Sequence, residues 1–163
     1  MATELSVTTD FGQSPAAVLA KLADERVLAR VMSESESLDP AIEISTQEDR
    51  AEIRISRGFE QDWPGLVATF IGKRLLIEEV RIWQRVAADD WQGTLHMRAP
   101  GQPVELQATM SLLGQAGGSR LSVNGKVRCT VPFIGGAVEQ MARGIIVDAI
   151  NHEFAVVAEE SSR

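Results

Sequence analysis

The sequence predicts an α+β fold: about seven antiparallel strands with one dry face, two short helices after the first strand, and a long C-terminal helix. Three observations carry this. The apolar period is two over most of residues 40–131. A period near 3.6 fills most of the remaining chain, from about Gly136 to about Glu159. Two helix-start signals, Ser14-Pro15 and Asp24, follow a single strand-like segment.

Taken in order, Thr3–Thr9 alternates, with Leu5 and Val7 on one face, and reads as the first strand. Ser14 is a hydroxyl N-cap with proline at the first helical position, and Val18, Leu19 and Leu22 form one apolar face. Asp24 caps a second short helix carrying Val27, Leu28, Val31 and Met32. Ile42 and Ile44 then share a face, as do Ile53 and Ile55 across the polar turn Gln47–Arg50.

Leu75–Arg85 is strand-like with poor alternation. Ile77 and Trp83 oppose Val80 and Ile82, which suggests a bulge or a strand buried on both faces. Arg54, Arg81 and Arg98 fall at positions expected to face solvent. Trp91, Leu95 and Met97 alternate with Gln92, Thr94, His96 and Arg98, and Pro100–Pro103 marks a turn. Val104–Leu112 is the cleanest strand. Leu121, Val123, Val127, Cys129 and Val131 keep one parity across Asn124-Gly125, so one long strand with a glycine bulge is expected there, not a hairpin. In the final helix Val138, Met141, Ala142, Ile145, Ala149 and Val156 share one side, widened by Ile146, Ile150 and Val157. Only the dry face of the sheet is large enough to bury that stripe.

A chain of 163 residues suits one domain, 1–163, with 44% hydrophobic and 24% charged residues. Its formal charge of −7 disfavours nucleic acid as a partner. No apolar run reaches the roughly 18 residues of a membrane span, and no targeting signal is visible, so a soluble cytoplasmic protein is expected. The single cysteine, Cys129, excludes an internal disulfide; with inner parity it reads as a small hydrophobe.

Strand, two short helices, six strands and one long helix is the element order of the helix-grip fold, and the chain resembles the START-like superfamily, which includes polyketide cyclases and plant pollen allergens. Phe70-Ile-Gly72, Trp83, Ala99–Val104 and Val123–Gly136 further resemble a small subfamily filed as a domain of unknown function. The resemblance implies a curved sheet gripping the long helix around an apolar cavity. It also implies a hydrophobic ligand: a lipid, a sterol-like or a polyketide-like molecule.

On that reading Trp63, Phe70, Trp91, Leu95, Met97, Leu106, Met110, Met141, Ile145 and His152 are the expected ligand-binding residues. His152 lies about 40° from Val138 on a helical wheel and should point to the sheet. It suits a polar ligand contact or a general base, but the favoured expectation is a histidine satisfied by a backbone or side-chain partner, or one near the frayed helix end. Glu153, on the other flank, is expected to be a half-exposed carboxylate. His96 should face solvent, so a histidine-based metal site is not expected, nor is any cofactor. The connection Gly58–Arg74 is long for adjacent strands and apolar, with Phe59, Trp63, Leu66, Val67, Phe70 and Ile71. A short helix begun at Asp62-Trp-Pro64 would make it a lid over the cavity, or a plug completing the core. Three functions stand open: a non-catalytic binder or carrier, a packed interaction module, and a cyclase- or dehydratase-type enzyme using His152 as base. The first is the favoured expectation. No nucleophile, acid–base pair or phosphate loop is complete enough to name catalytic residues.

Overall fold

The computed structural model describes residues 2–162, with the side chains of all of these except Leu66 and Phe70. The elements run β1 (Thr3–Phe11), α1 (Pro15–Leu22), α2 (Glu25–Glu34), β2 (Leu38–Gln47), β3 (Arg50–Glu60), α3 (Gly65–Ile71), β4 (Arg74–Ala87), β5 (Asp90–Arg98), β6 (Val104–Gln115), β7 (Gly118–Cys129) and α4 (Gly135–Ser161). Seven strands form one antiparallel sheet in the order β1-β7-β6-β5-β4-β3-β2. Consecutive strands from β2 to β7 are neighbours, and β1 closes the order by pairing with β7. This is the expected curved meander wrapped on a C-terminal helix, a helix-grip fold.

The local signals act as their chemistry requires. The Ala17 N–H donates to Ser14 Oγ at 3.3 Å, and the Arg26 and Val27 N–H groups donate to Asp24 Oδ1 at 2.8 and 3.4 Å. These caps satisfy amides that the first turns of α1 and α2 leave without helical partners. Both helices bury the stripes read from sequence, Val18, Leu19 and Leu22 in one and Val27, Leu28, Val31 and Met32 in the other.

The inner face of the sheet carries Leu5 and Val7, Ile53 and Ile55, Trp83, Trp91 and Leu95, Leu106 and Met110, and Leu121, Val123 and Val127, all buried. β7 runs without the expected bulge: its register against β1 and β6 is unbroken through Gly125. The glycine serves close approach instead. A Cβ there would lie 2.5 Å from Ala108 Cβ and 2.6 Å from the Gln107 carbonyl oxygen. Removing that Cβ lets the concave face bend tightly between Leu5 and Ala108, its partners on either side.

α4 lies along β1 and β7 and packs against α1 and α2. Its C-terminal half is deeply held: Ile150, Phe154, Val156 and Val157 are buried, and the Phe154 ring meets Phe11 edge-on at 6.4 Å between centroids. At its start, Glu139 is buried and accepts hydrogen bonds from Thr3 Oγ1 at 3.0 Å and from the Cys129 N–H at 2.9 Å. One carboxylate thereby ties the helix to β1 and to the end of β7. Between these two anchorages, Met141, Ala142, Ile145, Ile146 and Ala149 are only half-buried.

Candidate functional site, an apolar cavity under the C-terminal helix

That half-burial has a cause. The middle of α4 stands off the sheet over a cavity of about 100 Å³, walled by Phe59, Trp63, Ile71, Leu75, Ile77, Met97, Leu106, Val127, Met141, Ala142, Ile145, Ile146 and Ala149. The lining is overwhelmingly aliphatic and aromatic. Its polar members are Arg57, Gln61, Arg98 and Glu105.

The connection expected over Gly58–Arg74 is shorter in the structure, residues 61–73 between β3 and β4, and it builds one end of this space. Val67 and Ile71 of α3 are buried in a small satellite cluster with Cys129 and Val138, against which Trp63, Leu75, Val131, Ile134 and Met141 pack. Such clusters form under long connections, apart from the main core. α3 is weakly secured. It has seven residues, no side-chain cap at its N-terminus, and glycines with left-handed φ at both ends, Gly65 (57°) and Gly72 (75°). The short helix expected after Asp62-Trp-Pro64 is thus present, and it borders the cavity.

Of the residues anticipated from sequence, Trp63, Met97, Leu106, Met141 and Ile145 meet at this cavity. Trp91, Leu95 and Met110 are buried in the main core and do not line it. The Phe70 side chain lies outside the described residues. His152 is half-buried and also stands away from the cavity; its Nε2 is enclosed and has no hydrogen-bond partner. His96 is half-exposed, and its Nε2 pairs with Glu105 Oε2 at 3.1 Å. Among the described residues no group of three or more His, Cys, Asp or Glu side chains is placed to hold a metal ion.

Two expectations are overturned at β4. Arg81 does not face solvent: it is 7% exposed and points inward beside Glu79, which is 2% exposed. Glu153 is not half-exposed but 3% exposed, and its carboxylate grips Arg81 in a fork, Nη1 to Oε2 at 2.5 Å and Nη2 to Oε1 at 2.7 Å. Arg81 Nε donates to Glu79 Oε2. Burial alone would pull the Arg81 guanidinium down. The charges of Glu153 and then Glu79, with hydrogen bonds from both, hold it above the ordinary arginine range. β4 carries no bulge before Arg85, so the poor alternation has another origin. Its inner face reads Leu75, Ile77, Glu79, Arg81, Trp83, and two charged residues break an apolar row.

Sequence reading also passed over Arg57. It shares inner parity with Ala51, Ile53 and Ile55 and is 4% exposed on the cavity wall. The available signal was this parity together with oppositely charged Glu79 and Arg81 on the neighbouring strand.

Among the described residues no helix is long and apolar enough to cross a membrane. Solved structures share the whole architecture. TTHA0849 from Thermus thermophilus aligns with a TM-score of 0.64 at 14% identity, covering 98% of this chain and 97% of that one. An uncharacterised protein from Rhizobium leguminosarum aligns at 0.61 and 10% identity, over 100% and 96%. Ara h 8.0201 aligns at 0.51 and 12% identity, over 97% and 99%. At such identities the likeness is one of fold. A search of curated proteins gave no match. The family comparison reaches further: residues 6–159 match the family described as "Protein of unknown function (DUF2505)", and the chain belongs to that family.

Proposed function

We propose that the chain is a START-like domain that binds or carries a hydrophobic small molecule, without catalysis, in the cavity between the sheet and α4. The supporting observation is the cavity itself, an apolar hollow under a stretch of α4 whose apolar side chains Met141, Ala142, Ile145, Ile146 and Ala149 are only half-covered. Cores close at near-crystalline density, so a gap of this size against aliphatic walls forfeits contacts that a guest restores. Each CH₂ transferred from water contributes about 0.8 kcal/mol.

Size sets the rest of the reading. An apolar cavity of about 150 Å³ accommodates benzene, so about 100 Å³ takes a small ring or a short alkyl segment at rest. A lipid-sized or sterol-sized guest requires the wall to move. α3 is the part suited to do so, since it is short, uncapped and bracketed by glycines in left-handed conformations.

The test uses the uncharged fluorophore N-phenyl-1-naphthylamine. Wild-type protein should bind one equivalent with enhanced, blue-shifted emission. The Ala142→Trp variant, which fills the hollow from α4, should lose that signal while keeping its far-UV circular dichroism. No enhancement with wild-type protein, or equal enhancement with both, refutes the reading.

A further inference from the structure

Arg57 is the anomaly of the cavity wall. Buried cations are normally paired, yet among the described residues no carboxylate lies within ion-pair distance of this one. Its Nη1 reaches only Met32 Sδ, at 3.2 Å, and its guanidinium carbon stands 5.0 Å from the centroid of the Phe59 ring. Its Nε has no partner at all. Both nearby carboxylates, Glu79 and Glu153, make their hydrogen bonds to Arg81 instead. Burial pushes the Arg57 guanidinium down from the ordinary arginine range, opposed first by the charge of Glu79; an arginine remains cationic through such a shift. A thioether and a ring face are poor replacements for the acceptors that water supplied, so much of its donor capacity is unspent.

The second orphan on the same wall is also a donor. Trp63 Nε1 is enclosed and lacks a partner. The other charged side chains there are engaged: Arg98 donates to Glu78 Oε2 at 3.0 and 2.7 Å, and Glu105 pairs with His96. The wall therefore offers two unspent donors, one of them cationic, in an otherwise greasy lining. Its complement is an apolar body ending in an anionic acceptor. A planar carboxylate matches the guanidinium fork, and as a monoanion it costs less to desolvate than a phosphate.

We infer that the cavity takes a hydrophobic carboxylic acid, with its carboxylate on Arg57 and Trp63 and its hydrocarbon part along Met97, Leu106, Met141 and Ile145. This rests on the ligand-binding reading above and narrows it to one chemical class. A plain hydrocarbon would leave both donors without acceptors, and a sterol would bring one neutral hydroxyl oxygen and no charge to set against Arg57.

The experiment compares decanoate with 1-decanol by isothermal titration calorimetry at pH 7. Wild-type protein should bind decanoate about 10–100-fold more tightly, the range that a hydrogen bond to a charged group supplies. In Arg57→Met the preference should vanish while decanol affinity holds, and Trp63→Phe should reduce it by a smaller factor. Equal affinity of wild-type protein for both molecules overturns the acid preference and leaves the binding reading intact. So does a preference that survives Arg57→Met. Binding of neither molecule overturns both readings. The wild-type comparison needs no variant to fold.

Discussion

Replacing Glu153 with glutamine tests whether α4 is held to β4 by a desolvated charge pair. The substitution keeps the shape and removes one negative charge from a site where Arg81, Glu79 and Glu153 are 7%, 2% and 3% exposed. Arg81 would lose one arm of its fork, because the new amide nitrogen would face a guanidinium donor and not accept from it. Glu79 would remain the only carboxylate hydrogen-bonded to Arg81. Breaking a buried pair by removing one partner costs about 3–5 kcal/mol, since the survivor stays buried with its charge incompletely compensated. Against a typical total of about 5–15 kcal/mol this is a large fraction. With a urea m-value of about 2 kcal/mol/M, the unfolding midpoint should fall by about 1.5–2.5 M. The control is Glu78→Gln, which severs the exposed pair with Arg98 and should cost about 0–1 kcal/mol. Equilibrium unfolding followed by tryptophan fluorescence measures both. A Glu153→Gln midpoint no lower than that of Glu78→Gln refutes the reasoning.

Two further outcomes follow from the same geometry. Gly125→Ala drives a methyl to 2.5 Å from Ala108 Cβ, and overpacking at that close approach should cost about 2–3 kcal/mol, read as a loss of about 4–12 °C in Tm by calorimetry. At the surface, the Arg120 hydrogen bond holds the Asp10 carboxyl below the ordinary aspartate value of 3.8, with partial opposition from desolvation and further help from Gln115. A depressed folded-state pKa stabilises the fold above the unfolded value and loses that contribution as pH falls through the folded one. Arg120→Gln should therefore raise the Asp10 titration midpoint in carbonyl-detected NMR and flatten the acid-side decline of stability; an unmoved midpoint would contradict the assignment.

Legibility in the sequence divided along physical lines. Where one face of a strand is dry and the other wet, alternation reports the fold directly, as Leu106, Ala108, Met110 and Leu112 do in β6. Helix starts were equally plain, because Ser14 and Asp24 act within three residues of their own positions. β4 misled because parity is inferred from polarity. With Glu79 and Arg81 facing in and Val80 and Ile82 half-buried on the outer side, the usual inference runs backwards. Charge that is neutralised across strands and helices leaves no local mark; its partner, Glu153, is 72 residues from Arg81. Glu153 does lie on the helical line Ile146, Ile150, Val157, which is the trace it left.

The cavity was legible only through the resemblance to other helix-grip chains, and the reason bears on how it stays open. The stripe on α4 reads as continuously apolar from Val138 to Val157, and nothing in it distinguishes side chains that touch the sheet from those that face a void. The distinction comes from how the helix is suspended. Glu139 ties its start to β1 and β7, the paired rings of Phe154 and Phe11 hold its far end, and α1 and α2 brace its flank. Towards β4 the helix is joined by Glu153 and Arg81, two long side chains end to end. A guanidinium and a carboxylate in a fork meet in one fixed geometry, so this pair sets how far α4 stands from β4 at that point, a separation that no apolar periodicity encodes.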